Sequence, residues 1–315
     1  MKIDIVKDIV KAKLLWEKFS PYETVWDEWG FIAPLFHVDQ FEPYFLVLVD
    51  DDGQELGLWP LWLEKELGRY YAFGGDYLED IRFWFPLEYF PFLVANLPST
   101  KLFDVNAQAA EQVIKQFPEY KNYFQAVHHR YFLEPAKFNY SVTEYLQTFS
   151  KKHRYNLLRD LKKLQDLHYE LAWELNEHFD DFVKFNLERF GEESDFIEPL
   201  FIEEMREIIQ YLVDQQQLRT LVIKINGVVV GLELACEFKG IWYVLNAGQA
   251  SGFDNLGKLL IMEHIKEAFS RRCKEVDFLA GDTGWKQLWN LDREQYYNFA
   301  TPDYIPVDPD EEDDD

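Results

Sequence analysis

The 315-residue chain carries 57 acidic side chains against 32 lysines and arginines, a net charge of −25. That balance opposes general binding to phosphate backbones and removes DNA as a partner, and it disfavours tRNA. Two cysteines, Cys236 and Cys273, supply neither a disulfide framework nor a cysteine-ligated metal site, and 48% apolar residues suffice for a large core.

Eight of the acids fall in the last thirteen residues, which leaves −17 on the remainder. The run DPDEEDDD reads as a solvated, disordered tail over 302–315. No apolar run reaches the length of a bilayer span. The start, MKIDIVKDIVKAK, lacks the apolar stretch of a secretory signal, so a cytoplasmic chain is expected.

Periodicity and turn residues then give the elements in order. A strand is expected over 2–6 and a helix over 9–19. Strands over 44–49 and 55–63 flank a turn at 50–53, and a third over 69–73 stops at Gly74 and Gly75. The segment 83–97 is aromatic but broken by Pro86, Glu88 and Pro91, and reads as a loop or partly buried surface. Strand, helix and strand follow near 101–105, 107–117 and 123–127. A linker, EPAKFNYS at 134–141, separates a first domain (1–135) from a second (136–301).

The second part opens on a single basic helix over 142–167, then a strand over 168–175 and helices over 179–190 and 200–215. A meander of strands over 218–225, 228–238 and 241–247 is joined by Asn226-Gly227, the strongest short-range hairpin signal, and Lys239-Gly240. A loop rich in Gly, Asp and Asn leads to a helix from Leu256, and a last strand covers 275–279. The class is mixed α/β, with the same strand, helix and meander order in both parts.

Four groups of residues could carry chemistry. Asn255, Leu256, Gly257 and Lys258 open a helix after a strand and a glycine-containing loop. Free N–H groups, a positive dipole end and one lysine there suit a phosphate, although an ordinary strand-to-helix turn has the same pattern. Glu233 sits mid-strand between small neighbours. It could take a proton from an attacking amine or hydroxyl, or be a solvated or salt-bridged face residue. The cluster Gly281-Asp282-Thr283-Gly284-Trp285-Lys286 follows a strand, where ligand crevices of α/β domains open. Asp282 would orient a substrate, Lys286 bind its anionic group and Trp285 pack on it; the alternative is a tight turn. The patch Lys151-Lys152-His153-Arg154 offers Arg154 to an anion, against the usual reading of a solvated helix face. His128 and His129 are adjacent and would point to opposite sides of a strand. No histidine spacing suits a metal, and there is no nucleophile elbow or catalytic triad pattern.

The helix SKKHRYNLLRDLKKL, the meander LVIKINGVVVGLELACEFKGIWYVLNAG and the ending VDFLAGDTGWKQLW together resemble the GNAT superfamily over 138–289. More narrowly they are similar to the branch that holds the cellulose-biosynthesis acetyltransferases and the FemABX aminoacyltransferases. LGLWPLWLEKELGRYYAFGG resembles the amino-terminal half of these proteins. The resemblance implies tandem GNAT-like domains, the first degenerate, each a mixed, largely antiparallel sheet flanked by helices. It implies direct acyl transfer, with acyl-CoA as cosubstrate and no permanent cofactor, to an amine or hydroxyl of a small-molecule or peptide acceptor. Aminoacyl-tRNA is the alternative donor, and a catalytically silent binding module the alternative class. It maps the family's pyrophosphate loop to Gly252–Gly257; on that footing residues 254–258 would hold the donor phosphate and backbone amides near Asn246–Gly248 the thioester carbonyl. Glu233 or Asp282 would serve as base or orienter, with Tyr243, Trp285, Lys286 and Arg154 on the substrate side.

Overall fold

The computed structural model describes residues 1–306. Two compact units account for them. The first holds 1–130, 280–282 and the chain from Arg293 on; the second holds 131–279 and 283–292.

The first unit begins with β1 (Lys2–Val6), α1 (Ile9–Phe19) and the short α2 (Trp29–Ile32). Asp8 caps α1 by accepting from the Lys11 N–H at 2.8 Å, satisfying one of the orphan donors of the first turn. Then come β2 (Phe41–Val49), β3 (Glu55–Glu64), β4 (Arg69–Ala72), α3 (Phe90–Val94), β5 (Thr100–Val105), α4 (Ala107–Gln116) and β6 (Phe124–Leu133). Asn106 caps α4 in the same way. The segment 83–97 is partly buried, as expected: Glu88, Phe92 and Asn96 are exposed, whereas Phe90 is fully buried and meets Trp59, Phe83, Tyr120 and Phe124 at ring-centroid distances of 5.3–6.3 Å. Pro86 and Pro91 stand at the starts of its two short helical turns. A second aromatic centre gathers on Trp16, whose indole N–H donates to the Asp27 carbonyl at 2.7 Å and whose ring meets Trp29, Phe73 and Trp84.

In the second unit the expected single basic helix is two: α5 (Val142–Gln147) and α6 (Lys151–Gln165). Ser150 makes the break. Its hydroxyl accepts from the His153 N–H at 3.2 Å and so starts a new helix. There follow β7 (Tyr169–Glu174), α7 (Phe179–Phe190), α8 (Pro199–Asp214), β8 (Leu218–Ile225), β9 (Val228–Phe238), β10 (Ile241–Gln249), α9 (Leu256–Ser270) and β11 (Glu275–Ala280). β7 to β10 pair antiparallel in sequence order, and β11 joins β10 in parallel. Both hairpin turns need left-handed backbone, which Asn226-Gly227 (φ 53° and 77°) and Lys239-Gly240 (φ 48° and 83°) supply. The core lies between this sheet and α9, around Trp242, Val244, Ile265 and Phe278, and Tyr145 of α5 donates its hydroxyl to the Trp289 carbonyl.

The last strand, β12 (Asp292–Ala300), returns to the first unit. It pairs antiparallel with β5, Phe299 opposite Leu102, and completes the order β1-β2-β3-β4-β5-β12-β6. Reading 136–301 as one domain followed chain order; the ladder with β5 assigns 293–300 to the first unit instead. Within the expected tail, Tyr304 packs under the Arg69 guanidinium at 5.0 Å and meets the Tyr71 hydroxyl at 3.3 Å. The rest of the acidic run, 307–315, lies outside the described residues. Among the described residues no helix is long and apolar enough to cross a membrane, and no group of three His, Cys, Asp or Glu is placed to hold a metal ion.

Candidate active site

The second unit contains a cavity of about 750 Å³ between α6, α9 and the strands β9 and β10. Leu157, Leu260, Ile261, Trp285, Leu288 and Trp289 give it apolar walls. Lys152, His153 and Arg159 from α6, Arg189 from α7 and Lys258 from α9 bring basic side chains to it. In a chain of −25 such a concentration is a local reversal of sign, suited to an anionic ligand.

β9 sets Glu233 into the inner wall. The residue is 6% exposed, lines the cavity and stands directly opposite Ala247 across the β9–β10 ladder. Behind it lies His264 of α9, fully buried, with Nε2 3.2 Å from Glu233 Oε2. The two atoms are in contact but out of line for a hydrogen bond, and neither has another hydrogen-bond partner. On the far side of the ring, His264 Nδ1 accepts from the Trp242 indole N–H at 3.1 Å.

A bulge decides what β10 presents. The register with β9 slips between Val244 and Asn246, so the alternation shifts by one residue. Trp242 and Val244 face the α9 side; after the bulge Ala247 and Gln249 take that face and line the cavity. Asn246 is exposed, and Gly248 is turned to α7, where a methyl group would meet Phe182 Cδ2 and Phe185 Cβ at 3.2 Å. Strict alternation from Trp242 puts Asn246 and Gly248 on the cavity face; the extra residue puts their neighbours there.

The helix start divides likewise. Asn255 (φ 69°) caps α9 in left-handed backbone and lines the cavity with Gly257 and Lys258, whereas Leu256 is buried in the core. Lys258 Nζ donates to Asp160 Oδ2 and to Asn255 Oδ1, both at 2.8 Å. Asp160 also accepts from the Arg159 guanidinium at 2.9 Å. The Lys258 hydrogen bond, with Arg159 second, holds its carboxyl below the usual carboxylate range.

The remaining expected residues lie elsewhere. Asp282 belongs to the first unit and meets His129 Nδ1 at 3.1 Å, while His128 on the other side of β6 meets Asp104 at 2.6 Å. Lys286 is buried: its ammonium donates to the Leu279 carbonyl at 3.1 Å and sits over the Tyr131 ring. Tyr243 is buried away from the cavity lining, and Arg154 reaches back to the Leu146 carbonyl at 3.4 Å. Of these five expected residues, with Trp285 the fifth, Trp285 alone lines the cavity.

Two residues were missed that sequence could have flagged. Asp160 interrupts the stripe Leu157–Leu164 of α6, and His264 falls one turn after Leu260 on the buried side of α9. A polar residue at a core position of an amphipathic helix demands a partner, and that demand is a signal.

Residues 151–287 match the family model for an acetyltransferase (GNAT) domain. No curated protein matches the sequence. Three solved structures share the fold along nearly the whole chain. FemX is 12% identical over 96% of this chain and 98% of its own, with a TM-score of 0.59. L-PGS from Bacillus licheniformis is 12% identical over 97% and 95%, with a TM-score of 0.58. A tandem GNAT protein from the clavulanic acid biosynthesis pathway is 8% identical over 98% and 100%, with a TM-score of 0.52. The fold is therefore the tandem arrangement of two GNAT-type units.

Proposed function

We propose that this chain, which belongs to the GNAT superfamily of acyltransferases through residues 151–287, moves an acyl group from acyl-CoA to an amine or hydroxyl in its second unit. The observation that carries this reading is the position of Glu233. A mid-strand carboxylate lines the same cavity as the first turn of α9 and the basic side chains of α6 and α7.

In this reading the CoA phosphates lie toward Lys152, Arg189 and the start of α9, where backbone N–H groups and the helix dipole favour negative charge. The acceptor nitrogen or oxygen attacks the thioester carbonyl, its proton passes to the Glu233 carboxylate, the carbon–sulfur bond breaks, and CoA leaves as the thiol. The thiol's proton is the one Glu233 took from the acceptor: the carboxylic acid returns it to the departing sulfur, which regenerates the carboxylate. No covalent enzyme intermediate is required, and the protein acts by positioning the two reactants. The acceptor is a small molecule or peptide able to enter an apolar-walled cavity. A cytoplasmic setting accords with two free, buried cysteines.

Calorimetric titration with acetyl-CoA and longer acyl-CoAs tests the donor. Micromolar binding that Lys258→Ala weakens is expected, and no heat from any of them with folded protein would rule the donor out. A second reading, transfer from aminoacyl-tRNA, draws on the fold shared with FemX and on the basic mouth of the cavity. It requires a complex with charged tRNA that weakens steeply between low and moderate salt.

A further inference from the structure

His264 lies fully buried behind the proposed base, and the acyl-transfer step gives it no part. Its surroundings define its protonation pattern. The Trp242 indole can only donate, so His264 Nδ1 must accept and carries a lone pair. A neutral ring then has its proton on Nε2, the atom 3.2 Å from Glu233 Oε2. Trp173 meets both rings edge-on, 5.1 Å from the imidazole and 5.6 Å from the Trp242 ring.

We propose that Trp242 and His264 form a relay that positions Glu233: the indole fixes the Nε2–H tautomer, and that N–H holds the carboxylate toward the cavity as it accepts the acceptor's proton. This rests on the acyltransfer reading for its catalytic consequence, though not for the tautomer. At 3.2 Å the contact is out of line for a hydrogen bond. Catalytic hydrogen bonds commonly tighten only once substrate is bound, and the relay requires the Glu233 carboxylate to turn into line with Nε2 at that point. The other tautomer would set a lone pair against the carboxylate and turn it away. The arrangement follows a common rule for buried histidines, in which the bond made by one ring nitrogen decides what the other can do.

His264 touches no cavity surface, so it is a positioning residue and its test needs more than loss of activity. In protein labelled with 15N-histidine, the His264 signal, identified by its loss in His264→Gln, should report a neutral ring protonated at Nε2. In Trp242→Phe the same signal should move toward the Nδ1–H form. His264→Leu should lower kcat at least about tenfold with KM for acyl-CoA within about twofold. His264→Gln, whose amide can accept from Trp242 and donate to Glu233, should recover most of the loss. A native ring protonated at Nδ1, or a His264 signal unmoved in Trp242→Phe, overturns the relay whether or not the chain transfers acyl groups. Native kcat in His264→Leu overturns it as well. Absence of any acyl transfer, with the Nε2–H tautomer present and Trp242-dependent, counts against the function reading and leaves the relay's geometry supported.

Discussion

Lys258 and Asp160 are joined at 2.8 Å, so the first turn of α9 is tied to α6 at the place where a donor phosphate would arrive. The lysine that suits an anion is already partnered. Binding there must draw Lys258 from Asp160 or share it with the ligand.

Asp160→Asn should therefore free Lys258 and Arg159 and tighten acyl-CoA binding by up to about tenfold, equivalent to ~1.4 kcal/mol. Titration calorimetry of the two proteins measures this, and unchanged affinity would mean the pair does not compete with the ligand.

The same carboxyl gives a pH dependence with a defined sign. Its folded value lies below its unfolded value, so the ion pair stabilises the fold above the ordinary aspartate range, near about 4. That contribution disappears as pH falls through the lower folded value. Lys258 is more than a third exposed, which limits the effect to at most about 1 kcal/mol. Urea unfolding of native and Asp160→Asn proteins should differ at pH 7 and converge in strong acid.

Glu233→Gln keeps size and hydrogen-bonding capacity but removes the proton acceptor. It should lower kcat by about 10²–10⁴ with little change in KM. Steady-state kinetics on protein of native thermal stability decide the point, and undiminished kcat would assign the base elsewhere.

Lys286 offers a contrast. Its ammonium is engaged with the Leu279 carbonyl inside the second unit, so Lys286→Met should cost about 1–3 kcal/mol of stability and leave the kcat of the folded fraction near native. A large fall in donor or acceptor affinity without loss of stability would restore it as a ligand-binding residue.

Both thiols should be inert in the native state. Burial pushes the Cys273 thiol up to about 11 and raises that of Cys236 further, so neither is a thiolate at pH 8. A disulfide-exchange reagent should label two cysteines only after denaturation; rapid labelling at pH 8 would show that the core around α9 opens.

Local patterns carried far in the sequence where one rule acts alone. The meander β8–β10 was legible because Asn226-Gly227 and Lys239-Gly240 fix turns that only left-handed backbone can make. Glu233 was legible as a charged residue at a mid-strand position. The bulge in β10 was not, since no glycine or proline marks it and its effect is to swap Asn246 and Gly248 for Ala247 and Gln249 at the cavity. The break between α5 and α6 rested on one serine hydroxyl. Asp282 and Lys286 looked alike as polar residues after a strand, yet tertiary partners took both: His129 in one case and the Leu279 carbonyl in the other. Composition cannot distinguish a charge that meets a ligand from one that meets the backbone.

The return of β12 to β5 has a consequence for how the protein is made. Chain growth from the amino end delivers β1 to β6 well before residues 292–300 exist. Until then β5 exposes the edge that Phe299 and its neighbours will cover, so the earliest-made part matures last. The second unit, contiguous but for one short excursion, can close first. Loss of 292–300 would thus strike the half of the protein farthest from it in synthesis, leaving an unpaired strand and an open aromatic core prone to self-association.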